Sequence, residues 1–422
     1  MLKVKHLLFL FIVLWNYSVS AQQKSKVYGI IIKGGHIIDP KNNIDEVLDI
    51  ALNDGKIALI AKNINADQGT QVVDATGMYV APGLIDIHSR LGSTLPDGYT
   101  FRVGVTTIVD AGDSDYESFA NFKKQIIDKS GTRVLAFLNI KGDGYKGGAY
   151  EKSTGDKIAS ESAKLALANK DIVGFKIDFV GPDWTPVDRG VEAGNLANMP
   201  IMLDGGRNHP YPSLKDLFTK HMRPGDIYTH TYTIIEDINA RDMIVDQQTN
   251  LIRPSFLEAQ KRGIIFDVGH GSAFRFSNAI PAMKAGFVPN TISTDLSSGS
   301  TNAFMKDMMN VMSKFLGMGM SLKEVVKAST WSPAKAIKRE ELGHLSPGAI
   351  ADLVVFSLRE GKFGFYETAG YKMNGIKKFE CEMTIKDGRI VYDLNGIATP
   401  INNFFVKGPN LDGKTGIKTN QH

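Results

Sequence analysis

Short apolar runs alternate with longer amphipathic stretches between residues 83 and 342. Each apolar run has the length of a buried strand, and the amphipathic stretches have the length and pattern of helices. The eight runs are LIDIH, VTTIVDAG, RVLAFLNI, IVGFKIDF, PIMLDGG, DIYTHTY, GIIFDVGHG and TISTDL. Because no G-x-G-x-x-G turn follows the first strand, the pattern favours a closed (β/α)8 TIM barrel over an open doubly wound sheet.

Helical patterns fill most of the spaces between these strands. Four of them are SFANFKKQIIDKSG, PSLKDLFTKHM, PSFLEAQKRG and NAIPAMKAG. The segment from residue 302 to 339 is predicted to carry the last helices, one of which starts at Ser332-Pro333.

The two flanks of the barrel region have a different pattern, in which apolar and polar positions alternate over short runs. Residues 27–82 and 343–400 contain Gly34-Gly35, Asp54-Gly55 and Asp387-Gly388, which are dipeptides typical of hairpin turns. The two flanks are therefore predicted to form one small β-sandwich domain built from both termini. Residues 401–422 are predicted to be a C-terminal tail.

The first 21 residues resemble a secretory signal peptide. Lys3 and Lys5 precede the apolar run LLFLFIVLW, and Val19-Ser20-Ala21 supplies small residues for cleavage after Ala21. The apolar run is shorter than the roughly 20 residues that a spanning helix needs, so no stable membrane span is expected after cleavage. The expected location is secreted or periplasmic, and a retained membrane anchor is the alternative.

Composition narrows the classes of partner. The 49 Lys and Arg residues nearly balance 45 Asp and Glu, which gives a net charge of +4 over 422 residues. Since the chain also lacks a basic block, this balance argues against nucleic-acid binding. Cys381 is the only cysteine, which excludes an internal disulfide or a thiolate metal cluster but does not contradict export.

Each barrel strand carries a polar residue near its carboxyl end. These residues are His88, Asp110, Asn139, Lys176, Asp204, His230, His270 and Asp295. The carboxyl ends of barrel strands surround one mouth, so these side chains would converge there. A single strand-end histidine is usually only hydrogen-bonded, but several buried ionisable groups need charged partners or a metal ion. The pattern therefore predicts a joint site at the mouth.

The motifs on these strands resemble the amidohydrolase superfamily, in particular its amidohydrolase/deacetylase or dihydroorotase-like subgroup. They are APGLIDIH, GVTTIVDAG, TRVLAFLNI, VGFK, RPGDIYTH, GIIFDVGHG with ISTDLSS, and LGHLSPGAIADLVVF. The resemblance covers nearly the whole mature chain in order. It implies a barrel that holds two divalent metals, usually zinc. The implied ligands are a His-x-His pair, a carboxylated lysine, two further histidines, and an aspartate that is also the general acid/base.

Carried over residue by residue, the resemblance implies the metal ligands His88, Lys176, His230 and Asp295. It also implies that Lys176 is carboxylated, that Asp295 is the catalytic acid/base and that His270 contacts the substrate. Two ligand positions differ from the family pattern. Arg90 stands where the second histidine of the first strand would be, and Asp204 replaces the histidine of the fifth strand. His209, just beyond that strand, is an alternative ligand.

The two altered positions have opposite chemical consequences. Residues 88 and 90 point to the same side of a strand, and the Arg90 guanidinium has no lone pair to offer a metal. Asp204 can still bind zinc through its carboxylate. The gained positive and negative groups are predicted to form an ion pair between Arg90 and Asp204.

Charge counting limits the metal number expected at this site. Two divalent ions with Arg90 leave excess positive charge over Asp204, Asp295 and a carboxylated Lys176, whereas one ion balances them. A metal-free network in which Lys176 stays an ammonium also balances. The expectation is therefore one zinc ion, with a metal-free salt-bridge network as the alternative.

The resemblance implies hydrolysis of an amide or ester bond of a small acid, such as an N-acyl amino acid. Arg275 or Arg90 would then meet the substrate carboxylate. The alternative is a catalytically lapsed barrel that binds a small ligand. The persistence of Lys176, His230, His270 and Asp295 favours the enzyme. A sugar-binding module is not supported, because the sequence has no stripe of aromatic residues. A homo-oligomer is expected from the resemblance alone.

Overall fold

The computed structural model describes residues 27–140, 157–178, 184–204, 213–234, 243–297 and 299–399. The predicted signal peptide, His209 and the predicted C-terminal tail lie outside these residues. Among the described helices, none has both the length and the apolar character needed to cross a membrane.

Strands and helices follow one another along the described chain in the alternating order that the sequence predicts. The strands are β1 Tyr28–Asp39, β2 Ile44–Asn53, β3 Lys56–Ala61, β4 Gly69–Asp74, β5 Tyr79–Pro82, β6 Leu84–Ser89, β7 Val105–Ala111, β8 Arg133–Asn139, β9 Ile172–Ile177, β10 Ile201–Asp204, β11 Ile227–Thr229, β12 Val245–Asp246, β13 Leu251–Ile252, β14 Ile265–Phe266, β15 Leu353–Tyr366, β16 Lys372–Lys386, β17 Arg389–Asp393 and β18 Ala398–Thr399. The α-helices are α1 Asp97–Thr100, α2 Phe119–Gln125, α3 Ile158–Ala168, α4 Thr185–Ala197, α5 Leu214–Asp216, α6 Pro254–Arg262, α7 Phe276–Lys284, α8 Met308–Gly317, α9 Leu322–Ser329 and α10 Trp331–Ala336. Short 3-10 turns span Ala66–Gln68, Phe101–Val103 and Ile127–Lys129, and a π-helical turn spans Leu217–His221.

The central sheet is parallel and closes into a barrel. Seven strands run in the order β6-β7-β8-β9-β10-β11-β14. Residues 291–296 complete the ring, because Thr291 bridges Asp267 at one edge and Leu296 bridges Ser89 at the other, both in parallel. The amide of Asp295 also donates to the carbonyl of His88 over 2.8 Å. The predicted (β/α)8 barrel is confirmed, with an irregular eighth strand.

Helices occupy the predicted positions around the barrel, and local sequence fixes their ends. Helix α6 begins with Pro254, whose fixed φ suits the first turn, and ends at Gly263, which has a φ of 100°. Helices α8, α9 and α10 fill the segment that was predicted to carry the last helices. The eighth barrel segment is therefore followed, after a loop, by the last helices of the barrel region.

Strands from both ends of the chain form one further sheet of nine strands, as expected for a small β domain. Its main path is β17-β16-β15-β5-β1-β2-β3, and β4 joins it beside β1 with β18 at its outer edge. The apolar core of this sheet includes Ile32, Ile50, Val80 and Val355. Asp54-Gly55 and Asp387-Gly388 form the predicted turns. The exact domain boundaries that the sequence suggested stay a prediction.

Gly34-Gly35 is not a hairpin turn, which corrects the sequence-based expectation. Strand β1 continues through both glycines and carries a bulge between Ile32 and Gly35. Gly34 has a φ of 66°, and its amide donates to Asp49 over 2.8 Å. The bulge exists because the buried Asp49 carboxylate takes up the amide that the strand ladder leaves unpaired.

The long β15–β16 hairpin brings the β domain to the mouth of the barrel. Its strands pair from Leu353 and Ile385 out to Tyr366 and Lys372. Strand β16 packs against α8, where the amide of Phe379 donates to the Ser313 hydroxyl over 3.0 Å. The tip of the hairpin thereby supplies part of the wall of the site described below.

Replacing Ser321 with alanine is expected to destabilise the fold by about 1 kcal/mol, because it removes the N-cap of α9. Ser321 and Glu324 form a reciprocal capping box, and the Ser321 hydroxyl and amide hold the pKa of Glu324 below its usual value. A lowered carboxylate pKa gives stability above the unfolded pKa that is lost as pH falls through the folded pKa. Urea unfolding should therefore show the loss at pH 7 and a smaller loss near pH 3. The exposed Ser160→Ala is the control, and an equal loss at both pH values would contradict the capping interpretation.

Candidate active site

Five of the predicted strand-end residues form one cluster at the barrel mouth. His88 Nε2 lies 3.4 Å from Lys176 Nζ and 3.7 Å from the Asp295 carboxylate. Asp204 lies 3.5 Å from His230 Nε2 and 3.8 Å from Lys176 Nζ. Lys176 is fully buried, and the side chains of Asp204 and His230 are almost so. The convergence expected of barrel strand ends is thus present.

Hydrogen bonds from behind set the orientation of the His88 ring. Asp267 accepts the hydroxyl of Thr229 over 2.7 Å, so the Thr229 oxygen accepts the Nδ1–H of His88 over 2.8 Å. The hydroxyls of Thr291 and Ser293 also donate to Asp267, over 2.6 Å each. This relay leaves the lone pair of His88 Nε2 directed into the mouth, an arrangement common behind metal-binding histidines.

The backbone at the mouth is strained in two places. His230 has a φ of 56° and Asp295 a φ of 51°, values that side-chain-bearing residues adopt seldom and mainly at functional sites. Gly269 and Gly271 flank His270 and lie so close to the site that a Cβ would overlap Thr229 at the first and Asp295 at the second. The VGHG motif therefore contributes close-approaching backbone to the mouth.

Three side chains have the spacing of a metal site. One ligand atom from each of His88, His230 and Asp295 lies within 4.8 Å of the others. Two imidazole nitrogens and a carboxylate oxygen are a common donor set for zinc, and Asp204 is adjacent. The donor chemistry therefore fits one divalent ion, whereas the ligand roles of the individual residues stay a prediction.

Burial and charge shift the pKa values of the cluster in opposing directions. Burial, with Lys176 and His230 nearby, holds the pKa of His88 well below its usual value, so the ring is neutral. Burial also lowers the pKa of Lys176 and raises that of Asp295. At His230 burial acts to lower the pKa, but the Asp204 and Asp295 charges outweigh it and raise the value. The same attraction from His230 and Lys176 overcomes burial at Asp204 and keeps its pKa well below normal.

Arg90 forms its ion pair with Asp178, which corrects the predicted pair with Asp204. Both terminal nitrogens of Arg90 donate to the two carboxylate oxygens of Asp178, and Asp113 lies 3.9 Å away. Although burial opposes it, the Asp178 charge raises the pKa of Arg90 further. The physical reason is reach, since Asp178 follows Lys176 by two residues and points to the same side of β9.

Asp178 also changes the charge balance of the mouth. Its nearly buried carboxylate adds one negative charge beside Arg90 and Lys176. With that charge included, two divalent ions, a carboxylated Lys176 and a bridging hydroxide would balance, so charge alone no longer excludes a second ion. Ligand chemistry still favours one ion, because Arg90 has no lone pair with which to coordinate a second one.

Two residues predicted to act on the substrate lie elsewhere. His270 is fully buried, its Nδ1 bonds the Gly271 carbonyl over 3.0 Å, and its Nε2 lies 2.7 Å from Lys314 Nζ. Arg275 donates to the carbonyls of Ser272 and Phe274 on its own loop. Neither side chain lines the cavity at the mouth in the described part of the chain. Their predicted contacts with substrate are not supported by this geometry.

Two further strand-end residues, Asn139 and Asp110, form hydrogen bonds with residues around the mouth. Asn139 donates to Asp178 over 2.7 Å, and Asp110 accepts the amides of Leu91 and Asp113. Sequence reasoning missed Asp178, although its spacing of two from Lys176 could have revealed it. It also missed Lys314, for which a helical sequence gives no comparable signal.

A cavity of about 400 Å³ opens at this cluster. Its lining includes Asp204, His230 and Asp295 from the cluster, and also Arg90, Phe304 and Thr368. The volume is at the lower end of the range for small-molecule sites.

Comparison with known proteins identifies the family to which this chain belongs. Residues 275–391 match the model of the amidohydrolase family. A deacetylase from Brucella anthropi is 31% identical over 337 residues, which cover 74% of this chain and 80% of that protein. A deacetylase from Agrobacterium fabrum is 32% identical over 72% of this chain and 77% of that protein. The chain therefore belongs to the amidohydrolase family.

Solved structures agree with this assignment. An adenine deaminase superposes with a TM-score of 0.77 at 26% identity and covers 87% of this chain and 100% of that chain. A dihydroorotase superposes with a TM-score of 0.75 at 27% identity, over 86% of this chain and 97% of that chain. Within the family, the two sequence relatives described above are both deacetylases.

Proposed function

We propose that the protein is an exported, metal-dependent deacetylase that hydrolyses N-acyl amino acids or related small acids, with one divalent ion at the barrel mouth. The observation that carries the proposal is the convergence of His88, His230 and Asp295 within 4.8 Å, beside a small cavity that His230 and Asp295 line. The similarity to two deacetylases supports the reaction class. The N-terminal sequence supports export.

His88, His230 and Asp295 would hold the ion, with Asp204 and Lys176 beside them. A zinc ion at such a site acidifies a bound water molecule and polarises an acyl oxygen. The neutral His88 ring is already oriented for this role by Thr229. The lowered pKa of Lys176 increases the neutral amine fraction, which is the form that carbon dioxide carboxylates.

Proton transfer is assigned to Asp295 in this proposal. Its side chain is about one fifth exposed towards the cavity, and burial raises its pKa towards the range that suits a general acid/base. It would take a proton from the attacking water and deliver it to the leaving amine. Hydrolysis then yields a free carboxylic acid and an amine.

Binding of the acid group of the substrate is assigned to Arg90 in this proposal. Arg90 lines the cavity together with hydroxyl-bearing residues such as Ser272 and Thr368. Asp178 holds its guanidinium plane in place, so the positive charge is fixed before the substrate arrives. A substrate carboxylate would pair with this charge while the acyl group faces Asp295.

Elemental mass spectrometry of the mature protein, grown with zinc and without chelators, is expected to find about one zinc per chain. His88→Asn should lower this content at least tenfold, because changing a residue that only supports a ligand commonly costs about 10- to 100-fold in metal affinity and losing the ligand itself should cost no less. The surface variant His221→Asn is the matched control and should retain the metal. Hydrolysis of N-acetyl amino acids should stop on chelation and return with added zinc.

A zinc content near zero in the wild-type protein would overturn the proposal. It would favour a catalytically lapsed barrel in which Lys176 stays an ammonium between Asp178 and Asp204 and the cavity only binds a small acid. Calorimetric binding of an N-acetyl amino acid without turnover would then identify that second function.

A further inference from the structure

Lys314 is a fully buried lysine on α8 that the proposed chemistry does not use. Its ammonium donates to the carbonyl oxygens of Phe304 over 2.8 Å and Tyr366 over 2.7 Å. The third neighbour is His270 Nε2 at 2.7 Å. Burial lowers the pKa of Lys314 to about 7, and three acceptors from separate parts of the chain match the three donors of its ammonium form.

His270 can serve as an acceptor because its other nitrogen is already engaged. The Nδ1–H donates to the Gly271 carbonyl over 3.0 Å, so the neutral ring presents the Nε2 lone pair to Lys314. Burial and the nearby Lys314 charge hold the pKa of His270 well below its usual value, which favours this neutral form. Phe274 stacks on the ring at a centroid distance of 4.6 Å and fixes its plane.

The two carbonyls that Lys314 binds belong to segments that form the wall of the active-site cavity. Phe304 lies in the loop between Asp295 and α8 and is one of the residues that line the cavity. Tyr366 is the last residue of β15, two positions before the cavity residue Thr368. One buried ammonium therefore joins the loop after the eighth strand to the tip of the β-domain hairpin.

We propose that Lys314 is a positioning residue that fixes the distance between Phe304 and Thr368 and thereby sets the size of acyl amino acid that the cavity accepts. The proposal rests on the proposed function only for its substrate class. The role of Lys314 as the link between the two wall segments is independent of the reaction.

A second hydrogen bond also attaches the tip of the β15–β16 hairpin to the barrel. The Glu367 carboxylate accepts the amide of Phe276 at the start of α7, so the hairpin tip is attached to the barrel at neighbouring points. Lys314 also lies 5.8 Å from the Phe274 ring centroid and 5.9 Å from that of Phe276. A buried cation is stable only with such acceptors and aromatic neighbours around it. If the Lys314 amino group is removed, the Phe304 and Tyr366 carbonyls lose the donor that they share.

Hydrogen exchange measured by mass spectrometry tests the link without a substrate. Lys314→Met keeps the length and apolar stem of the side chain but removes the donors. Peptides covering 299–307 and 366–371 are expected to exchange at least tenfold faster in this variant, while barrel strands β6 to β9 stay unchanged. The exposed Lys327→Met is the matched control. Unchanged exchange in both peptides would overturn the proposal.

If Lys314→Met does not fold, the wild-type protein decides the question. Exchange followed in increasing, sub-denaturing urea should show both peptides opening with the same free energy, as one cooperative unit. Independent opening of the two peptides, with different urea dependence, would overturn the proposal.

Kinetics on N-acetylglycine, N-acetyl-alanine, N-acetyl-leucine and N-acetyl-phenylalanine test the effect on specificity. Lys314→Met is expected to change the ratio of kcat/KM between the smallest and largest substrates about tenfold, mainly through KM. Zinc content should remain as in the wild type. A preserved substrate ranking with a uniform loss of kcat would show a merely structural role and overturn the specificity claim.

A double-mutant cycle with Phe304→Ala connects the two readouts. If Lys314 acts through the wall, its effect on substrate ranking should largely vanish when Phe304 is already alanine. Additive effects would contradict action through this wall. If the wild-type protein hydrolyses none of the four compounds, the proposed function fails, and the exchange result alone decides whether Lys314 links the two segments.

Discussion

Replacing Asp295 with asparagine is expected to lower kcat about 10³-fold, because the amide cannot accept the proton that general acid/base catalysis requires. Asparagine keeps the size of the side chain and one oxygen, so the left-handed backbone at this position is preserved. The measurement is steady-state hydrolysis of an N-acetyl amino acid together with the zinc content. KM should change much less than kcat.

The matched control is Asp188→Asn, which alters an exposed carboxylate that pairs with His221 far from the cavity. This control should keep wild-type kcat. A loss of less than tenfold in Asp295→Asn with full zinc occupancy would contradict the role of Asp295 in proton transfer. Because Asp295 is also a proposed ligand, activity is measured with zinc added to full occupancy, and activity that returns to the wild-type level with zinc would assign Asp295 to metal binding alone.

The general position of the site could be predicted from sequence because barrel geometry is simple. Strands of a parallel barrel end at one mouth, so a polar residue after each apolar run is placed there by topology alone. This reasoning correctly brought together His88, Lys176, Asp204, His230 and Asp295. Strands β6 and β7 are buried at every position, as expected for mainly apolar runs in a parallel sheet that is covered on both faces.

The seventh strand shows where the same reasoning fails. Its regular part ends at Phe266, and the following residues bend so that glycine backbone approaches the site. The His270 side chain consequently faces α8 and bonds Lys314. The alternation of residues along a strand predicts where a side chain points only while the strand is regular. The glycines on both sides of His270 indicate in the sequence that the strand is irregular there.

The sequence also does not predict which carboxylate forms the ion pair with Arg90. Asp178 directly follows β9 and Asp204 ends the neighbouring strand β10, and a pattern of charges does not reveal which carboxylate lies within reach of a guanidinium. Distances in the folded barrel decide it, and they place Asp178 on both terminal nitrogens of Arg90. Asp204 is left with His230 and Lys176 as its strongest electrostatic partners.

Substituting both Arg90 and Asp204 with histidine is expected to raise the zinc content from about one to about two per chain. The double change restores a lone pair at each altered ligand position and removes the permanent positive charge from the site. It also leaves the nearly buried Asp178 without its main partner, which costs about 3–5 kcal/mol when nothing replaces the lost charge. A second zinc ion would supply that positive charge.

The control that separates ligand chemistry from charge is Arg90→Met combined with Asp204→Asn. It removes the same two charges and the same ion pair but adds no imidazole. Both double variants should be destabilised without zinc, and only the histidine variant should recover, because an ion that binds the folded state alone stabilises it by mass action. Thermal unfolding with and without zinc measures this difference. A histidine variant that keeps one zinc and does not recover would show that this mouth is built for a single ion, and that Arg90 belongs to the substrate site rather than to a lost metal site.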